Sequence, residues 1–235
     1  SRLWYFLDPK HSHLKAVYIS EVMNNRFIGL FNLFGLRDTD ITEVSETTQF
    51  RNVFVPEQSI RLHDYYHPLY KKTIERIKKN VKPGGSKKVF FSKRLSKSGR
   101  AIGERVIESI FKKNGYDVFN PEKMTLYETI SILKSCDCFV ASSGTNMHNA
   151  VFIGDNQATV CLNRSEHFHP IQTMIDRMKG LQSSYIDVFL FSSDAMFGNV
   201  PCFVVVTKFL RKYLAVTGMT FSVIQAHLLS SVFLF

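Results

Sequence analysis

Acidic residues are in short supply. Twenty Asp plus Glu stand against 30 Lys plus Arg, so this chain of 235 residues carries a formal charge of +10. Such a surface is expected to attract polyanions: nucleic acid, phosphorylated small molecules or an anionic membrane face. Cysteine is sparse as well. Cys136, Cys138, Cys161 and Cys202 do not form two spaced pairs, which excludes a disulfide framework and fits a reducing compartment. Cys136 and Cys138 stand at a strand entrance without the spacing of a zinc site. The N-terminus lacks the basic start, apolar stretch and small-residue cleavage site of a signal peptide. Several fingerprints are also missing. There is no Walker A loop and no run of three spaced glycines, which argues against a phosphoryl transferase or a dehydrogenase. Neither a Gly-x-Ser-x-Gly elbow nor a His-Glu-x-x-His helix is present.

What the chain does have is core-forming material, with 45% hydrophobic and 13% aromatic residues, enough for one large domain or two small ones. Lys15 to Ser20, Ile41 to Val44 and Asn52 to Val55 read as strands, and Arg26 to Phe34 as a short apolar helix stopped by Gly35. A helix from Pro68 to Lys79 sets Leu69, Ile74 and Ile77 against a basic outer face. Lys82, Pro83, Gly84, Gly85 and Ser86 read as a linker. The expected organisation is therefore residues 1–81, a linker at 82–86, and residues 87–235.

Beyond the linker the pattern alternates between strand and helix. Lys88 to Phe91, Tyr116 to Phe119, Cys138 to Ala141 and Thr159 to Leu162 are strand runs. Between them lie a helix with Val106, Ile107, Ile110 and Phe111 on one stripe and a helix opened by the capping box of Thr125 and Glu128. Another follows Ser142 to Gly144. This order predicts an α/β fold with a Rossmann-like parallel sheet and right-handed crossovers. Tyr213 to Phe235 contains no Asp, Glu, Lys or Arg. Its interspersed Gly, Ser, Thr and Gln favour burial, or a contact lying on a membrane, over a span.

Ligands of open parallel sheets bind outside the carboxyl ends of the strands. Two turns there are chemically distinctive. Ser92 to Arg100 carries Lys93, Arg94, Lys97 and Arg100, and leads into the helix that starts near Glu104. Ser142, Ser143, Gly144, Thr145 and Asn146 place small polar residues where a helix begins, a setting that favours an anion. Together the two turns are expected to hold a phosphate or diphosphate, with Glu104 and Asn149 available for ribose or sugar contacts. Taken alone, each turn also reads as ordinary surface loop or helix capping. Glu166, His167 and His169 are read as a polar loop rather than as metal ligands.

In this frame, Lys93 and Arg94 end a strand, and Arg100 is followed by Ile102 and Glu104. Gly115 precedes Tyr116, Pro121 precedes Glu122, and Gly144 is followed by Asn149. The pattern resembles the catalytic domain of glycosyltransferase family 61, the group that includes bacterial capsular polysaccharide biosynthesis proteins. Gly103, Ser143 and Thr145 stand where that family usually has Asn, His and Ala, and its upstream Tyr-x-His-Trp helix is not found.

The resemblance implies an inverting glycosyltransferase of the GT-B type, with two Rossmann-like halves and a shortened N-terminal one. The nucleotide-sugar donor, of UDP type, would bind the C-terminal half without a metal or other cofactor. Lys93, Arg94, Arg100, Glu104, Ser143, Gly144, Thr145, Asn146 and Asn149 would form its site. The base would come from the N-terminal half, where His11 and Asp38 are named. The acceptor would be a glycan or lipid-linked glycan of capsular or surface polysaccharide. The expected location is the cytoplasm or the cytoplasmic face of the membrane, with a peripheral membrane contact and no nucleic acid partner. The competing readings are a basic polyanion-binding module, for nucleic acid or anionic lipid, and a transferase relative that has lost activity.

Overall fold

The computed structural model describes residues 1–19, 25–61, 64–96, 101–190 and 202–221. Short 3-10 turns at Leu3–Leu7 and Pro9–His11 lead to β1 (Ala16–Ile19), α1 (Asn25–Phe34) and β2 (Ile41–Val44). The hairpin of β3 (Ile60–Arg61) and β4 (Tyr65–Tyr66) then precedes α2 (Pro68–Lys79). The second part runs β5 (Lys88–Phe91), β6 (Ala101–Ile102), α3 (Glu104–Lys113), β7 (Asp117–Phe119), α4 (Leu126–Lys134), β8 (Cys138–Ser142) and α5 (Thr145–His148). It continues through β9 (Ala158–Asn163), α6 (Pro170–Lys179), β10 (Gln182–Asp187), β11 (Cys202–Phe203) and α7 (Lys208–Val216).

The centre is a five-stranded parallel sheet in the order β10-β9-β8-β5-β7. Its inner strands are apolar on both faces because both are covered. Phe90, Val140, Val160 and Ile186 point to one side, with Ile107, Ile110 and Phe111 of α3 and Leu210 and Leu214 of α7. Val89, Phe91, Phe139 and Cys161 point to the other, with Ile130 and Leu133 of α4, Met147 of α5 and Ile175 of α6. The chain starts the sheet at β5, adds β7 on one side, then crosses to β8 and builds outward on the other. The direction of winding therefore reverses between β5 and β8, and in a doubly wound sheet the ligand crevice lies at that reversal.

Local signals explain most boundaries. The reciprocal capping box opens α4: Thr125 Oγ1 accepts the Glu128 N–H at 3.2 Å, and Glu128 Oε2 accepts the Thr125 N–H at 2.7 Å. Gly180 ends α6 in the left-handed conformation that a helix C-terminus favours. The expected strand at Asn52 to Val55 does not form. That segment joins no ladder and leaves Val53, Phe54 and Val55 exposed. It is held instead by ring and backbone contacts, with Tyr5 stacked on Phe54 and Trp4 Nε1 donating to the Glu57 carbonyl at 2.8 Å.

Residues 82–86 are fastened to α4. The Gly84 N–H donates to the Ser131 carbonyl and Ser131 Oγ donates to the Lys82 carbonyl, both at 2.8 Å. Lys134 Nζ donates to the carbonyls of Lys78 and Val81. One hydrophobic cluster crosses this point, joining Leu3, Phe34, Ile74 and Ile77 to Phe91, Leu133 and Phe139. Buried Lys179 adds an ionic tie, with Asp155 at 2.8 Å and Glu75 of α2 at 3.3 Å. Within residues 1–81, parallel pairing among the described residues is that of β1 with β2.

Gly103 is the position where backbone geometry is most demanding. Its φ is +93°, and a Cβ there would lie 2.3 Å from the Val204 carbonyl oxygen, where β11 pairs with β6. Gly103→Ala is expected to destabilise the fold by about 2–4 kcal/mol, from left-handed strain plus overpacking. Urea denaturation measures this as a lower midpoint at unchanged slope, and a change under about 0.5 kcal/mol would contradict the pairing.

Candidate functional site

At the reversal, Ser92 and Lys93 follow β5 and Ser142 closes β8. Between them sits the carboxylate of Glu104, first residue of α3 and only 1% exposed. Glu104 Oε2 accepts the backbone N–H of Lys93 at 2.7 Å, and Oε1 accepts the Ser142 hydroxyl at 2.9 Å. Ser92 Oγ lies 3.3 Å from Glu104 Oε2 and 3.2 Å from Glu108 Oε2, and accepts the Arg94 N–H at 3.2 Å. Burial pushes the Glu104 carboxyl above its ordinary 4.5, against the opposing pull of the bonds from Ser142, Lys93 and Ser92. Both oxygens are engaged by protein donors, so Glu104 forms the floor of the crevice.

Cations stand above that floor. Burial first, and then the charge of Arg164, pull the Lys93 ammonium below its ordinary 10.5, offset in part by Glu122 and Glu104. Arg164 directly follows β9 and packs against the second turn. Its Nε donates to the Ser143 carbonyl at 3.1 Å and its backbone N–H to Ser143 Oγ at 3.3 Å. Gly144, at φ +103°, has no side chain, and a Cβ there would come within 3.3 Å of Arg164 Nη2. Cys202 Sγ lies 3.8 Å from Arg164 Nη1. Arg94, 3.4 Å from Glu108 through Nε, lines a cavity of about 240 Å³ with Ala101, Ile102, Gly103, Glu104 and Arg105. Lys93 and Arg164 thus follow the two strands that flank β8, at the carboxyl edge of the sheet, where positive charge favours an anion.

The remaining residues of the second turn divide by environment. Thr145 is exposed, whereas Asn146 is buried with its Nδ2 unpartnered. Asn149 Nδ2 folds back onto the carbonyls of Thr145 and Asn146 at 3.2 and 3.1 Å, so its amide secures the turn. Arg100, with Lys97, Ser98 and Gly99, lies outside the described residues. His11 has local contacts, with its ring stacked on Tyr5 at 3.8 Å and Nδ1 2.8 Å from the Tyr5 carbonyl oxygen. Asp38 is exposed on the 3-10 turn before β2. Among the described residues, neither makes a contact that ties it to the crevice. In the polar loop after β9, His169 meets His148 of α5 at 4.3 Å, and burial with that neighbour pushes His148 down to about 4. Arg164 is the residue that sequence reasoning missed. The rule applied after β5 and β8, a polar or cationic residue just past a strand end, would have found it after β9.

A doubly wound parallel sheet with Lys93 and Arg164 at its strand ends defines an α/β protein of Rossmann-like type. The chain belongs to glycosyltransferase family 61, whose family model, Glycosyltransferase 61, matches residues 2–162. That segment runs from the first 3-10 turn to β9 and takes in both crevice turns. Membership makes the chain a glycosyltransferase by family, acting between a sugar donor and an acceptor. No curated protein matches it.

Glu104→Ala strands the Lys93 N–H and the Ser142 hydroxyl, while Ser92 keeps Glu108, and is expected to cost about 3 kcal/mol. Glu104→Gln keeps an acceptor for the Lys93 N–H and remains within about 1 kcal/mol of the wild type at pH 7. The pH dependence separates the two causes. A carboxyl raised on folding binds its proton more tightly in the native state, so wild-type stability declines as pH rises from 4.5 to the folded value and is level beyond it. Urea titrations across that window should show the decline in the wild type and not in Glu104→Gln. Equal slopes in both proteins would refute the assignment.

Proposed function

We propose that the chain transfers a sugar from a nucleoside diphosphate sugar to a hydroxyl group of a glycan acceptor, with inversion at the anomeric carbon. The observation that carries this is the convergence of Lys93 and Arg164 beside the Ser143–Gly144 turn at the β5/β8 reversal. It supplies fixed positive charge where the donor's diphosphate would lie. Lys93, Arg94 and Arg164, with Arg100 from the same loop, are assigned to the two phosphates. The buried amide of Asn146 is a further donor at the turn. Glu104 and Asn149 are assigned positioning roles, because their polar atoms already hold the two turns in place.

In the reaction the acceptor oxygen forms a bond to the anomeric carbon as the bond from that carbon to the diphosphate oxygen breaks. The electron pair leaves with the diphosphate and the acceptor's proton passes to a base. Charge grows on the leaving diphosphate in the transition state, so preorganised cations there lower the barrier. Residues 1–81, with the parallel pair β1 and β2, are read as the acceptor side of a GT-B-type arrangement. Surface or capsular polysaccharide assembly is the role that the family resemblance supports.

The test is a thermal-shift panel of nucleoside diphosphates and their sugars, UDP compounds first, each with EDTA and with a divalent metal. At about 100 times Kd a ligand adds about 2.7 kcal/mol, an expected rise of roughly 5–10 °C for a chain of this size. The rise should persist in EDTA, fall at least about 10-fold in apparent affinity in Arg164→Ala, and recover in part in Arg164→Lys. Turnover of the shifting donor should give the opposite anomer by NMR. No shift with any of these ligands would overturn the proposal.

A further inference from the structure

The helical layer formed by α3 and α7 presents a second surface, separate from the crevice. The two helices lie on one face of the sheet over a shared cluster of Ile107, Ile110, Phe111, Leu210 and Leu214. Their ends are joined. Asn114, just past α3, accepts the Thr220 N–H at 2.8 Å and donates to the Thr220 carbonyl at 3.0 Å, just past α7. What this layer turns to solvent has one sign: Lys112 and Lys113 on α3, and Lys208, Arg211 and Lys212 on α7, are all exposed. Arg105, also exposed, carries the row to the mouth of the crevice cavity.

No acidic side chain balances that row from the same helices. α7 contains none. Of the two on α3, Glu104 is buried beneath the crevice and Glu108 faces Ser92 and Arg94. On α2, three of the five cations are engaged: Lys71 is paired with Asp155, Lys78 with Glu75, and Arg76 donates to the Phe34 carbonyl, while Lys72 and Lys79 are exposed. On α7, apolar groups stand among cations that have no acidic partner among the described residues: Phe209 is 51% and Val216 79% exposed, and Arg211 lies 5.9 Å from the Phe221 ring. The Lys208 ammonium sits 5.1 Å above the Phe209 ring.

We infer that the outer face of α3 and α7 seats the protein on an anionic lipid bilayer. Charge complementarity supplies the attraction, as each cation near an anionic leaflet adds to binding. Phe209 and Val216 select lipid over nucleic acid, because the boundary between headgroups and acyl chains gains from apolar side chains and a phosphodiester backbone does not. The crevice, entered beside Arg105, then lies at the rim of the bound surface, where a hydroxyl carried on a lipid anchor can reach it. The membrane contact itself does not depend on the transferase reading.

The experiment is co-sedimentation of the full chain with phosphatidylcholine vesicles, neutral or containing about one third phosphatidylglycerol, at low and high salt. Binding should require the anionic lipid, fall with salt, and weaken about 100-fold or more in Lys208→Glu/Arg211→Glu/Lys212→Glu. Phe209→Ser/Val216→Ser should weaken it about 10-fold while keeping the salt dependence. Lys112→Glu/Lys113→Glu, on the other helix, repeats the test if the triple variant does not fold. Equal binding to neutral vesicles would place the contact on apolar residues such as the uncharged stretch 222–235, and would overturn the inference. Undiminished binding by the charge variants would also overturn it, as would binding to duplex DNA or heparin without binding to vesicles.

Discussion

A single buried carboxylate holds the carboxyl edge of the sheet in its working shape. Glu104 reaches from the start of α3 to the ends of β5 and β8, the two strands between which the winding direction reverses. At such a reversal the loops diverge and leave a crevice, and the diverging backbone has polar groups to satisfy. Glu104 satisfies a backbone N–H of one side and a hydroxyl of the other, so the crevice keeps a defined floor. Its own cost is desolvation, visible in the raised carboxyl, and the three donors around it offset that cost.

Above this floor the electrostatics take the opposite sign. Lys93 is placed by the bond between its own N–H and Glu104, and Arg164 is placed by the carbonyl and hydroxyl of Ser143. Each position follows from a strand end, so the pair is set by the sheet rather than by a flexible chain. Burial first, and then the charge of Arg164, lower the Lys93 ammonium. A doubly charged ligand there, as proposed, would offset that cost.

Much of this was legible in the sequence where local chemistry decides the outcome. The stripe of Ile107, Ile110 and Phe111, the Thr125 and Glu128 capping box, and the Ile41–Val44 strand lie where the pattern puts them. The strand ends before the two turns do so too, at Phe91 and Ser142, while Lys97 to Arg100 of the first turn lie outside the described residues. Tertiary context decided the rest. Asn52 to Val55 has strand-like residues but joins no ladder among the described residues, and Pro83, Gly84 and Gly85 follow the surface of α4 while one core passes beneath. The polar run Gln182–Asp187 gave little sign of β10, an edge strand half-buried along most of its length. Glu104 read as a ligand contact rather than a buried brace, since its burial depends on Ser142, 38 residues away in sequence. Arg164 stood beside no motif at all.

The proposed donor site lies at one place, the β5/β8 reversal, apart from the basic layer of α3 and α7. The most direct measurement is backbone amide chemical-shift mapping of the full chain during titration with the nucleoside diphosphate that stabilises it. The account predicts the largest shifts at Lys93, Ser143, Gly144 and Arg164, with α7 unperturbed. Shifts concentrated on α7, or scattered over the basic surface without a maximum at the crevice, would contradict it.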